Sequence, residues 1–300
     1  METLLQNDTF ISALDWENKG SLVPVYNKNI FTIDTGGNHE NCIVILHGYL
    51  SSSYDYHKVI PELSKNNRVI IHDLIGFGLS DKLENKYFTI IDQTDYVLEL
   101  WDILGLNSFT LIAHDYGNLI TQEILARKNH ATTNIDIKNI LFCNGSVPVN
   151  HSNYLDLHTL YKEDDSKKMV SMLTSFGIYK KIMREFFYDE NKITEEELYE
   201  MWTLLEYNNG REIINFIYNY VKERKIFWNR WTSALKDTAV PIDLIWGKEK
   251  NIKEDYFTNL EEVKNADYNI YWIEKSGHFP MLESPKRWLQ SVLKVQIMNI

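Results

Sequence analysis

The sequence has little of what would staple, leash or anchor a chain. Two cysteines and six prolines in 300 residues leave no disulfide framework and no proline-rich linker. Cys42 and Cys143 each sit inside an apolar run, where a thiol behaves as a small core residue and suits a reducing compartment. No apolar run approaches 18 residues, so no transmembrane helix is expected. The first 16 residues mix Glu2, Asp8 and Asp15 with apolar ones and lack the basic start and apolar stretch of a signal peptide. Positive charge is also short: 31 Lys plus Arg against 42 Asp plus Glu give −11, which disfavours phosphate backbones and anionic lipid surfaces. The histidines show no metal-ligand spacing. These shortages predict a soluble cytoplasmic protein with no metal, cofactor, nucleic-acid or membrane partner.

Apolar residues are plentiful, at 44% of the chain, enough to build a large core without a metal or disulfide. Their order is more informative. Continuous apolar runs at Phe31–Asp34, Cys42–Leu46, Arg68–His72, Phe109–Ala113 and Asn139–Cys143 predict strands of a sheet covered on both faces. A helix-period stretch, clearest at about Ile91–Leu104, falls between them. From about Pro148 to Lys236 strand signals vanish, and Glu195–Glu206 carries Leu198, Met201, Trp202 and Leu205 at helical spacing. Strands resume at Ile242–Trp246 and Ile270–Ile273, and Trp288–Ile297 reads as a closing helix. The pattern predicts an α/β core over 1–147 and 237–300, with an all-helical cap over 148–236.

The sharpest local feature is Leu111–Asn118, L-I-A-H-D-Y-G-N. Here a buried strand runs straight into a helix, with Ala113 and Gly117 two positions either side of Asp115. That spacing is the nucleophile elbow, a tight turn that holds its central side chain above a sheet. A carboxylate there is ionised without help, favoured by the helix N-terminus, and able to attack carbon to form an ester. The alternative is a plain helix N-cap, a role Asp fills well.

Two further features supply partners. His47-Gly48 follows the strand Cys42–Leu46, where a loop amide and the amide after the nucleophile form an oxyanion hole; those are Tyr49 and Tyr116. Ser276-Gly277-His278 follows the strand Ile270–Ile273 and places His278 as a general base. His47, Gly48, His114 and Asn144 are expected to line the same site.

Together these residues resemble the α/β-hydrolase superfamily, and H-D-Y-G at His114–Gly117 is similar to its Asp-nucleophile branch of epoxide hydrolases and haloalkane dehalogenases. Within it the chain resembles the mesoderm-specific transcript protein family. The likeness rests on S-S-Y-D-Y (Ser52–Tyr56), the run Asp73–Lys82, Gln122-Glu123, Asn144-Gly145, Met201-Trp202 and Asn208–Gly210. The resemblance implies an eight-stranded, mostly parallel sheet flanked by helices. It also implies a cofactor-independent hydrolase of a small apolar electrophile, epoxide-like before haloalkane or ester, acting as monomer or homodimer. Asp115 would be the nucleophile and His278 the base, with cap tyrosines (Tyr154, Tyr179, Tyr188, Tyr207, Tyr218) as donors to an epoxide oxygen.

The sequence departs from that pattern in three places. In the turn Gly247-Lys248-Glu249-Lys250 the residue where the family carries its triad acid is Lys250, and Glu249 is the nearest substitute. The other location used for that acid holds Asn144. The proline after His-Gly is replaced by Leu50, and Tyr49 and Tyr116 stand where dehalogenases place Asn and Trp. Lys250 opens the alternative of an impaired hydrolase fold that only binds its ligand.

Overall fold

The apolar runs do become strands, and their ends decide where the chemistry can sit. The computed structural model describes residues 10–83, 88–145, 173–218, 220–248 and 268–298. Its eight-stranded sheet has the order β1-β2-β4-β3-β5-β6-β7-β8. The strands are β1 (Ser21–Val25), β2 (Lys28–Asp34), β3 (Cys42–Leu46), β4 (Arg68–His72), β5 (Ser108–His114), β6 (Asp136–Cys143), β7 (Ile242–Lys248) and β8 (Ile270–Glu274). The β1–β2 and β2–β4 pairs are antiparallel, and every pair from β4 across to β8 is parallel. The central strands are buried along most of their length, as continuous apolar runs require: Ile43, Val44, Ile45, Leu111, Ile112, Ile140 and Leu141 are all sealed from solvent.

β1 is the strand that sequence reading misses. It is a five-residue edge strand interrupted by Pro24 and mostly exposed, where a missing N–H is tolerated. β6 begins at Asp136 rather than Asn139, with exposed Asp136 and Lys138 alternating with buried Ile137.

Helices α1 (Ala13–Glu17), α2 (Ile60–Leu63), α3 (Ile90–Ile103) and α4 (Tyr116–Asn129) belong to the first half of the chain, with a 3₁₀ turn at Ser53–Tyr56. Between β6 and β7 lies a helical insertion: α5 (Phe176–Arg184), α6 (Glu195–Glu206), α7 (Gly210–Ile217), α8 (Tyr220–Ile226) and α9 (Trp228–Asp237). α10 (Pro280–Glu283) and α11 (Pro285–Met298) close the chain. α6 matches the amphipathic segment read from the sequence and carries a capping box from Thr194 and Glu197. α11 starts three residues before the predicted Trp288, because Pro285 is preformed for a first helical turn.

Buried carboxylates fasten the insertion to the core. Glu123 on α4 accepts from Arg230 (2.7 and 2.8 Å) and from the Trp231 indole (3.0 Å) on α9, and pairs with Arg127. Glu197 on α6 meets Lys58 at 2.6 Å and His57 at 3.4 Å. Glu223 on α8 accepts the Ile90 N–H that opens α3 (2.9 Å). Cys42 and Cys143 are both free, and burial pushes the Cys143 thiol up to about 12, as expected of a core thiol. Among the described residues no helix is long and apolar enough to cross a membrane.

Candidate active site

β3 and β5 are sheet neighbours, yet from β3 the chain proceeds to β4 on one side and later crosses to β5 on the other. Ligands of open α/β sheets bind in the crevice such a reversal leaves beyond the strands' carboxyl ends. The loop after β3 carries His47, Gly48 and Tyr49, and Asp115 directly follows β5.

Asp115 sits at φ 47°, ψ −106°, a conformation costing a non-glycine residue about 1–3 kcal/mol. Its side chain makes no capping bond to α4, so the plain N-cap alternative does not describe it. The turn is possible because its neighbours are small. A Cβ on Gly117 would lie 2.8 Å from both the Leu46 Cβ and the Leu46 carbonyl oxygen. Ala113 is fully buried at the end of β5.

Asp115 is held at two points. The Tyr49 amide donates to Oδ1 at 2.9 Å. Oδ2 stands 3.7 Å from His278 Nε2, beyond direct hydrogen-bond range and close enough for one water to serve both. The two side chains are 17% and 23% exposed, which leaves the pair reachable from solvent. Tyr116 is the first residue of α4, so its N–H belongs to the first-turn amides that have no intrahelical acceptor.

The other site histidines are neutral struts. His47 Nε2 accepts the Leu74 N–H (2.9 Å), so Nδ1 carries the proton toward the Gly48 carbonyl (2.8 Å). Burial lowers its pKa. His114 donates from Nε2 to the His278 carbonyl at 2.9 Å, its ring 4.7 Å from that of His278; burial and the neighbouring imidazole hold its pKa well down. Asn144 accepts the Gly247 N–H at 2.8 Å and faces the Gly277 carbonyl at 3.5 Å. It braces β6 and β7 against the His278 loop.

Glu249, Lys250 and Tyr154 lie outside the described residues. Among the described residues the carboxylate paired with His278 is that of Asp115.

Several site residues carry no local signal in the sequence. Tyr220 of α8 packs 5.3 Å from Tyr49 and 5.1 Å from Tyr116, and with Phe77 these rings build an aromatic wall beside Asp115. Tyr218 also faces Tyr49, at 5.9 Å. Of the other predicted tyrosines, Tyr179 packs at a tilt against Trp202 within the insertion (5.2 Å) and Tyr207 lies under Lys82 (5.4 Å). Glu283 binds the loop that holds His278. Asp55 is fully buried, and burial, aided by Asp73 and Asp115, pushes its carboxyl up to about 8. Ser51 opposes this, but its hydroxyl is turned to the Gly48 carbonyl (3.3 Å), and among the described residues neither Asp55 oxygen has a hydrogen-bond partner.

A strand-to-helix elbow at a sheet reversal, with a histidine loop facing it, defines an α/β-fold hydrolase. The chain belongs to the α/β-hydrolase family. The family's alpha/beta hydrolase fold pattern matches residues 41–176. The mouse (Mus musculus) mesoderm-specific transcript protein is 31% identical over 294 residues, spanning 93% of this chain and 86% of that protein. A haloalkane dehalogenase of Agrobacterium fabrum is 37% identical over 95 residues, covering 32% of this chain and 30% of the enzyme. Among solved structures, the epoxide hydrolase CorEH superposes with a TM-score of 0.73 at 19% identity, over 94% of this chain and 99% of that one.

Proposed function

We propose that the protein hydrolyses small apolar electrophiles, epoxides first, through an ester on Asp115, and that residues 148–236 act as its cap. The observation that carries this reading is the division of the Asp115 carboxylate, with Oδ1 on the Tyr49 amide at 2.9 Å and Oδ2 toward His278 at 3.7 Å. One oxygen is already where an ester carbonyl would be stabilised, and the other is free to attack.

In the first step Oδ2 bonds to an epoxide carbon as the ring C–O bond breaks. The departing alkoxide takes a proton from a hydroxyl on the insertion, for which Tyr218 and Tyr220 are the candidates by position. In the second step His278 removes a proton from water as its oxygen attacks Cγ of Asp115. The charge on Oδ1 is stabilised by the Tyr49 and Tyr116 amides, and the bond from Cγ to Oδ2 breaks. Oδ2 leaves with the diol and takes the imidazolium proton, the water oxygen stays in Asp115, and the proton left on that carboxyl restores the tyrosine phenolate formed in the first step. Both steps close without a cofactor. The aromatic wall of Tyr49, Phe77, Tyr116 and Tyr220 supports an apolar substrate. Tyrosines at the positions where dehalogenases hold halide favour epoxide over haloalkane.

The test is a His278→Gln variant incubated with styrene oxide and 1-bromobutane and then digested. Removing the base slows ester hydrolysis about 10²–10⁴-fold and spares alkylation, so mass accumulates on the Asp115 peptide. No added mass with either electrophile contradicts the reading.

A further inference from the structure

We propose that Glu283 is a positioning residue that locks the His278 loop to segment 186–189 of the helical insertion, so that the base stands over Asp115 only while that segment is docked. The inference rests on reading His278 as the base, and it adds a residue from outside the elbow to the machinery.

The Glu283 carboxylate is buried and bridges two parts of the fold. Oε2 accepts the Gly277 N–H at 2.6 Å, one residue before His278, and the Tyr188 N–H at 3.1 Å. Oε1 accepts the Asp189 N–H at 2.7 Å. His278 is tied to the same segment directly, its own N–H donating to the Phe186 carbonyl at 2.8 Å. Phe187 stacks on Phe279 with centroids 5.7 Å apart and planes 19° apart, and Phe186 lies 5.7 Å from the His278 ring. The approach is so close that a Cβ on Gly277 would fall 2.2 Å from the Phe186 carbonyl oxygen. His278 is therefore seated on the insertion as much as on the strand that precedes it.

A carboxylate suits this position because all three partners donate. It is an acceptor at both oxygens, and hydrogen bonds to an ionised acceptor are shorter and stronger than neutral ones. A glutamine of the same shape would turn an NH₂ toward an N–H and lose at least one bond. The two chemical steps then separate. Alkylation needs Asp115, the Tyr49 amide and the Tyr218 or Tyr220 hydroxyl, none of them a Glu283 partner among the described residues, whereas ester hydrolysis needs His278 in place. Displacement of a catalytic group by about 1 Å can cost up to about 10²-fold in rate.

The experiment compares Glu283→Gln and Glu283→Ala with the unaltered protein and with His278→Gln, using styrene oxide as the probe. Alongside, amide hydrogen exchange and the imidazole NMR titration of His278 are followed without substrate. In Glu283→Gln we expect exchange at Gly277, Tyr188 and Asp189 to rise about 10-fold together, with α4 unchanged. The His278 titration should shift, and ester hydrolysis should slow by roughly 10- to 10²-fold while Asp115 is alkylated at the normal rate. A Glu283→Gln protein with the unaltered His278 titration, or one whose two steps slow in equal proportion, overturns the proposal. If His278→Gln forms no ester, the base reading fails. The exchange and titration of Glu283→Gln still decide the tether, and they do so even if Glu283→Ala does not fold.

Discussion

The Tyr49 amide donates to Asp115 Oδ1 at 2.9 Å across an interval of 66 residues, because Tyr49 follows β3 and Asp115 follows β5, its sheet neighbour. That bond occupies the oxygen which would become an ester carbonyl and leaves the other facing His278. The placement of the two groups is thus fixed by strand order, and the local geometry depends on how tightly the elbow is packed.

Gly117→Ala tests that packing. The added methyl would meet the backbone and side chain of Leu46 at 2.8 Å, so either β3 or α4 has to shift. Overpacking of this kind costs about 1–3 kcal/mol. We expect urea unfolding to show a loss in that range. Turnover should fall more than stability alone explains, because Leu46 leads into the loop carrying Tyr49.

Asp55 predicts a pH dependence of stability. Its folded pKa, about 8, lies above the ordinary 3.8, so between these values the folded chain holds a proton that the unfolded chain has lost. Stability due to this group therefore falls as pH rises through that window, by about 1.4 kcal/mol per pH unit. Asp55→Asn should remove the slope and be more stable than the unaltered protein at pH 8. Equal slopes in denaturant titrations across the window would contradict this.

Glu197 works in the opposite sense. Burial would raise its carboxyl, but the His57 ring at 3.4 Å, the Lys58 ammonium at 2.6 Å and the Thr194 N–H at 2.9 Å hold it at about 2, below the ordinary 4.5. Its contribution is present above about 4.5 and is lost as pH falls toward 2. Glu197→Gln should destabilise the protein at pH 7, loosen α6 from the core, and flatten the acid limb of the stability curve. An unchanged acid limb, read by circular dichroism against pH, would contradict it.

What the sequence disclosed and what it hid divide along physical lines. Cys42–Leu46 and Arg68–His72 are legible to the residue because a strand buried on both faces must be apolar without interruption. Asp115 is legible because close passage of strand and helix demands small residues at Ala113 and Gly117, a constraint that is local in sequence. Glu283 is not legible in this way. Beside Met281 and Leu282 it looks like an ordinary helix acid, and its meaning comes from amides 94 and 95 residues away. Tyr220 is hidden among 18 tyrosines until the fold sets it against Tyr116. Asn144 shows the reverse: a position that suggests an acid by likeness serves instead as a brace through its amide.

The covalent ester is tested most directly by a single turnover in water enriched with oxygen-18, with protein in excess over styrene oxide. The account predicts that the first diol carries ordinary oxygen taken from Asp115, and that one heavy oxygen appears in the peptide containing Asp115. Heavy oxygen in the first diol, with none in that peptide, would mean that water attacks the substrate directly and that Asp115 is not the nucleophile.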